Sequence, residues 1–228
     1  TMPEEINRVV TDRVSDLLLA PSPDAVENLQ AEGYPATSVA LVGNIMADTL
    51  LTNLARAQAR PTLTDLGLTH GEYGLVTLHR PSNVDDPDDL RALIGVLEQV
   101  AEQVPLVWPV HPRVRLPVPL SHRITTLEPV GYLDAVALQA GAKIVLTDSG
   151  GMQEETTVLA VPCITLRTTT ERPITVTQGT NQLVGTEPAA ILQAVDRVLA
   201  GSVTGRRPEL WDGATAGRVL DAMESFRR

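Results

Sequence analysis

Short apolar, β-branched runs alternate along the chain with stretches whose apolar positions recur every three or four residues. The strand-like runs are 74–78 (GLVTL), 106–110 (LVWPV), 143–147 (KIVLT), 163–166 (CITL) and 180–184 (TNQLV). Weaker ones lie at 17–20, 38–42 and 124–127. Helical spacing is clearest over 88–103, where Leu90, Leu93, Ile94, Leu97 and Val100 share a face and 85–89 supply acidic residues near the start. Shorter helices are expected at 24–32, 46–59, 133–139 and 152–159. Two more follow at 188–199 (Ile191, Leu192, Val195, Val198) and 214–226 (Val219, Leu220, Met223, Phe226). Strands alternating with helices predict an α/β fold with a parallel sheet covered on both faces. The turn-rich segment 60–71 reads as a surface connection, and 112–119, with three prolines, as an exposed loop.

Composition narrows the function. The chain has 228 residues, room for one large or two small domains. Its 18 basic and 28 acidic residues give a net charge of -10, which excludes bulk attraction to nucleic acid or anionic membranes. An anionic ligand must therefore be held by a few local donors. Aromatic residues make up 3%, too few for base-stacking platforms. The single Cys163 excludes an internal disulfide framework and a cysteine zinc site. No apolar run approaches the ~20 residues of a membrane span.

Polar donors cluster where strands end. In TDSGGMQEE (147–155) a strand meets two glycines and a helix start, so free N–H groups and the positive dipole end face the loop. The glycines allow a tight turn and close ligand approach, Ser149 adds a hydroxyl, and Glu155 can accept from a vicinal diol. A plain strand–helix turn fits the same spacing equally well. His79 and Arg80 in TLHRPSN (77–83) can donate to phosphate, and His111 and Arg113 end a third strand. Arg167 with 168–172 forms a fourth, where Glu171 and Arg172 can pair internally. Taken singly these are ordinary surface turns. Together, on one edge of one sheet, they describe a cleft for a phosphorylated ligand. Pro3, Glu4 and Glu5 suit a helix N-terminus.

The segments PEEINR, VGN (42–44), LHRPSN, VHPR, TDSGGMQEE and TTERPITVTQGTNQLVG, with WDG at 211–213, occur in one order over nearly the whole chain. In this it resembles the non-hydrolysing UDP-N-acetylglucosamine 2-epimerases. The resemblance implies a GT-B architecture of two Rossmann-like domains. Residues 1–42 then correspond to the tail of the first, 43–212 to the second, nucleotide-binding domain, and 213–228 to a helix crossing back. The family's GTRPE, HGD-like and HVEAGLR-like stretches have no counterpart here, so a truncated chain, inactive alone, is expected.

By the same resemblance Glu4 matches an acid/base carboxylate and His79 the histidine near the leaving pyrophosphate. Ser149, Gly150 and Gly151 match the diphosphate loop, and Glu155 the ribose ligand. Arg80 and His111 match positions that in some members contact a second, regulatory sugar nucleotide. The family usually has Glu-Asn where this chain has Ser82-Asn83, which argues against that regulation. Arg113 and Arg172 join these as substrate-binding candidates. The implied ligand is UDP-N-acetylglucosamine or UDP, with no metal or other cofactor, no nucleic acid and no membrane. A cytoplasmic homodimer is expected. The alternatives are a non-catalytic UDP-binding module and the donor domain of a GT-B glycosyltransferase.

Overall fold

A computed structural model describes residues 3–203 and 205–226 of the chain. It divides into two compact units, one of residues 1–49 with 209–228, the other of residues 50–208.

The first unit begins with α1 (Pro3–Arg13), β1 (Leu18–Ala20), α2 (Pro23–Ala31) and β2 (Val39–Leu41). The two strands pair in parallel, with Leu18 opposite Val39. Helix α3 (Ile45–Gln58) starts in this unit.

The second unit carries a small helix, α4 (Thr62–Asp65), and then the main sheet. In chain order follow β3 (Gly74–Thr77), α5 (Pro81–Val84), α6 (Pro87–Gln103), β4 (Leu106–Pro109) and β5 (Ile124–Leu127). Next come α7 (Tyr132–Gly141), β6 (Ile144–Thr147), α8 (Gly150–Leu159) and β7 (Cys163–Thr165). The unit ends with α9 (Pro173–Thr177), β8 (Asn181–Leu183) and α10 (Pro188–Leu199). All six strands are parallel, in the order β5-β4-β3-β6-β7-β8.

Both faces of this sheet are buried, which is why its strands read as nearly continuous apolar runs. Val76, Leu106, Trp108, Ile144 and Leu146 point into one core, packed under α6 and α10 through Leu90, Leu97, Ile191 and Val195. The alternate residues Leu75, Val107 and Val145 point into a second core with Leu138 and Val161. Helix α6 starts where Asp86 caps it, accepting from the Asp88 N–H at 2.8 Å.

Segment 60–71 is the largely exposed, turn-rich connection that its composition predicts, with a short helix inside it. Leu63 and Leu66 pack against the second core. Arg60 Nε and Thr62 Oγ1 both donate to Asp134 Oδ1, at 2.6 and 2.5 Å, which ties α4 to α7.

The C-terminal helix α11 (Thr215–Phe226) returns to the first unit. Asp48 accepts the Thr215 and Ala216 N–H groups at 3.1 and 2.8 Å and so caps it. Arg218 donates to the carbonyls of Val42 and Leu210, at 2.6 and 2.7 Å. The Trp211 indole, almost fully buried, donates to the Pro21 carbonyl at 3.0 Å. Gly43 has φ +91°, and a Cβ there would sit 2.2 Å from the Leu210 carbonyl oxygen, so only glycine fits. The apolar face expected on this helix is present but not covered: Leu220, Met223 and Phe226 are exposed.

Candidate active site

The order of the main sheet reverses between β3 and β6: β3, β4 and β5 run outward one way, and β6, β7 and β8 the other. In an open parallel sheet the crevice beyond the carboxyl ends at such a reversal is where ligands bind. Thr77 and Thr147 are the last paired residues of the two strands. His79 and Ser149 each lie two residues further on. The four polar strand ends picked out in the sequence belong to β4, β3, β6 and β7, which are consecutive in the sheet.

Helix α8 opens onto this crevice. Ser149 is its N-cap, its Oγ accepting from the Met152 N–H at 3.5 Å. The Gly150 and Gly151 N–H groups are in the first turn, where no intrahelical carbonyl reaches them. The two glycines do not serve the turn itself, contrary to the sequence expectation, because neither has a positive φ. A Cβ on Gly151 would meet nothing within 4 Å, and one on Gly150 would meet only the Arg172 guanidinium, at 3.5 Å. The absence of side chains there leaves the helix end open, a geometry suited to an anion.

Asp148, which sequence reading passed over, organises the centre of the crevice. Its side chain is fully buried. Oδ1 lies 2.8 Å from Nδ1 of His79. Oδ2 accepts from the backbone N–H groups of His79 and Arg80, at 3.0 and 2.9 Å, and from Asn83 Nδ2 at 3.1 Å. Burial alone would raise the Asp148 pKa. The bonds from the His79 ring and from the Arg80 and His79 backbones outweigh it and hold the carboxyl below its usual range. Asn83 also donates to the Leu166 carbonyl at 3.1 Å, which ties the ends of β3, β6 and β7 together. The signal for Asn83 was inside LHRPSN, but its role depends on α5, a four-residue helix too short to show a period.

The TERP loop is held by charge and by a buried amide. Glu171 accepts from Arg167 at 2.6 and 3.0 Å, with Arg80 at 3.8 Å and Arg172 at 3.7 Å. The Arg167 bonds outweigh its partial burial and bring the Glu171 pKa down to about 2. The internal pairing expected of Glu171 and Arg172 is thus present, but Arg167 is the closer partner. Arg172 also sits 3.3 Å from Glu154. Gln153, fully buried, accepts from Thr170 Oγ1 at 2.6 Å and donates to the Ser149 carbonyl at 3.2 Å, joining this loop to the start of α8.

Glu155 is buried, and Oε2 accepts from Gln139 Nε2 at 2.7 Å. Burial raises its pKa, the Gln139 and Tyr132 bonds oppose the rise, and the nearby Glu154 adds to it. Beside it, Leu75, Val110, Val130, Ala135, Leu138 and Met152 line an apolar cleft of about 210 Å³, with His79 and His111 also on its wall. The two imidazole centroids are 5.7 Å apart. Arg113 pairs with Asp85 at 2.6 and 2.7 Å, both side chains remaining about half exposed. Glu4 lies in the first turn of α1, and its side chain is outside the described residues. Among the described residues no group of three or more His, Cys, Asp or Glu could hold a metal ion. No helix among them is long and apolar enough to cross a membrane.

A six-stranded parallel sheet with this reversal, and a helix N-terminus opening beside it, defines a doubly wound, Rossmann-like α/β unit. The family model described as UDP-N-acetylglucosamine 2-epimerase matches residues 1–224. The chain belongs to that family. It is 37% identical over 233 residues to the UDP-N-acetylglucosamine 2-epimerase of Methanococcus maripaludis, covering 96% of this chain and 63% of the relative. It is equally 37% identical, over 227 residues, to the UDP-2,3-diacetamido-2,3-dideoxy-D-glucuronate 2-epimerase of Pseudomonas aeruginosa, covering 96% and 63%. Among solved structures it is similar to the Methanocaldococcus jannaschii UDP-GlcNAc 2-epimerase in complex with UDP-GlcNAc and UDP. The TM-score is 0.83 at 36% identity, over 96% of this chain and 65% of that one. The chain thus spans just under two thirds of the length of the relatives it matches.

Proposed function

We propose that the chain forms the nucleotide-binding and leaving-group part of a UDP-N-acetylglucosamine 2-epimerase. The observation that carries this reading is the open α8 N-terminus facing His79 at the sheet reversal. The diphosphate lies on the Gly150 and Gly151 N–H groups and the Ser149 hydroxyl, with Arg172 alongside. The base enters the apolar cleft and the ribose hydroxyls meet Glu155.

In the reaction the C1–O bond breaks first, and UDP leaves with both electrons. Oriented N–H groups and a cationic side chain stabilise the charge that develops on it. Loss of the C2 proton then gives 2-acetamidoglucal. Protonation on the opposite face and re-addition of UDP give UDP-N-acetylmannosamine. His79 and 149–151 serve the departing UDP. Glu4, on its match within PEEINR, is the proposed carboxylate for proton transfer. Inversion needs acid/base groups on both faces of C2. Glu4 is the one carboxylate matched here, so the 228-residue chain by itself is expected to bind UDP without turning over sugar. Regulation through Arg80 and His111 is not part of this reading. We place the enzyme in the cytoplasm, as a homodimer supplying an N-acetylmannosamine donor for cell-surface polysaccharide; the family resemblance is what supports this.

Calorimetry with UDP, and proton NMR of C2 in deuterated water with UDP-N-acetylglucosamine, test the reading together. Binding without C2 exchange is expected. No binding at millimolar UDP would remove the nucleotide site, and robust exchange would show that the chain holds the whole acid/base set. A non-catalytic UDP module is the second reading, since the Ser149-capped α8 N-terminus suits a diphosphate whether or not sugar is turned over. C2 exchange once the remaining third of a relative is supplied would eliminate it.

A further inference from the structure

The environment of His79 determines which of its two nitrogens a ligand can meet. Nδ1 is 2.8 Å from a fully buried carboxylate, Oδ1 of Asp148, while the ring as a whole is 39% exposed and lines the apolar cleft. An ionised carboxylate only accepts hydrogen bonds, so the hydrogen must sit on Nδ1. Nε2 is then the one ring nitrogen left to face the crevice. In the neutral ring it carries a lone pair, which repels an anionic oxygen.

We propose that Asp148 is a positioning residue that fixes the Nδ1–H tautomer of His79, so that a diphosphate binds only as Nε2 takes up a proton. The nucleotide site is thereby coupled to the proton that His79 later holds beside the departing UDP. This inference rests on the proposed placement of the diphosphate. The charged and titratable groups around the ring are Asp148 from the β6–α8 junction, Arg80 from its own loop, and His111 from the end of β4. Arg80 is in turn 3.8 Å from Glu171. None but Asp148 is placed within hydrogen-bond distance of Nδ1 among the contacts described.

Replacement of Asp148 by Asn makes a specific reversal. Oδ2 accepts from the Arg80 N–H and Asn83 Nδ2, and the His79 N–H is shared between Oδ2 at 3.0 Å and Oδ1 at 3.1 Å, so two donors face Oδ2 alone. The amide oxygen of Asn must therefore take that side, and its NH2 must face Nδ1. Nδ1 becomes the acceptor, and Nε2 carries the hydrogen in the neutral ring.

Nitrogen-15 NMR of the unliganded 228-residue chain, with the His79 ring in its neutral form, reads the tautomer directly. The Nδ1–H form is expected, and the Nε2–H form would overturn the proposal. Calorimetry of UDP binding at pH 7.5, in buffers of different ionisation enthalpy, reads the proton. The wild type should show net proton uptake on binding UDP. Asp148→Asn should take up close to none and show the Nε2–H tautomer. Zero uptake or net release by the wild type, or unchanged uptake in Asp148→Asn, would overturn it. If Asp148→Asn fails to fold, the wild-type tautomer and proton count decide. If UDP does not bind, the nucleotide-site reading fails, and the tautomer of the free chain still decides this one.

Discussion

The hydroxyls of Thr77 and Thr147 meet at 2.6 Å across β3 and β6, at the last register pair before the sheet reversal. Thr147 Oγ1 also accepts the Ser149 N–H at 3.0 Å. One hydroxyl thus links two neighbouring strands to the cap of α8. Thr147→Val keeps the shape and removes the hydroxyl, leaving the Thr77 hydroxyl and the Ser149 N–H without it. The expected loss is about 1–3 kcal/mol in urea unfolding, with Thr147→Ser recovering most of it. Equal stability of the Val and Ser variants would show that the link contributes nothing.

Gly151→Ala separates stability from binding. The new methyl meets no atom of the protein, and replacing a helical glycine by alanine stabilises by up to about 1 kcal/mol. It also stands where the diphosphate is placed, so UDP affinity should fall roughly tenfold, about 1.4 kcal/mol. Unchanged affinity would move the diphosphate away from this turn.

Ser149→Ala removes both a cap and a ligand hydroxyl. The cap bond is long, at 3.5 Å, so the cost in stability should be near the low end, about 0.5 kcal/mol. The loss in UDP affinity should exceed the loss in stability. The reverse order, seen by calorimetry beside urea unfolding, would make Ser149 a structural residue only.

Two carboxylates give pH dependences of opposite sign. Glu171 is depressed to about 2, so its contribution is fully present above the ordinary carboxylate range and is lost as pH falls through about 2. Glu171→Gln should therefore destabilise at pH 7, by an amount that shrinks as the pH is lowered. Glu155 is raised, so what it contributes is present below its ordinary value and lost as pH rises through the folded value. Glu155→Gln should remove that loss and make the chain relatively more stable at pH 7.5 than at pH 4.5, while weakening UDP binding. Urea midpoints of both variants across this range check the two signs.

The strands were legible because a sheet buried on both faces writes unbroken apolar runs, and the helix 188–199 because Pro188 and its four apolar positions leave little choice. The candidate site was picked out at its strand ends, where Ser149, Gly150 and His79 are distinctive residue types beside apolar runs. Asp148 was not, since one more acid in TDSGGMQEE carries no sign of burial; its part appears only when β3 lies against β6. Asn83 and Gln153 were hidden for the same reason, as their partners lie 65 and 17 residues away. The partner of Arg113 was hidden as well, because Asp85 lies 28 residues before it. Segment 60–71 was legible as a surface connection, but the short α4 inside it was not, because four residues are too few to show a period.

A crystal structure of the chain with UDP tests the central claim most directly. The account predicts diphosphate oxygens within hydrogen-bond distance of the Gly150 and Gly151 N–H groups, with Nε2 of His79 on the same diphosphate. UDP bound elsewhere on the chain, or a diphosphate that leaves the α8 N-terminus and His79 untouched, would contradict it.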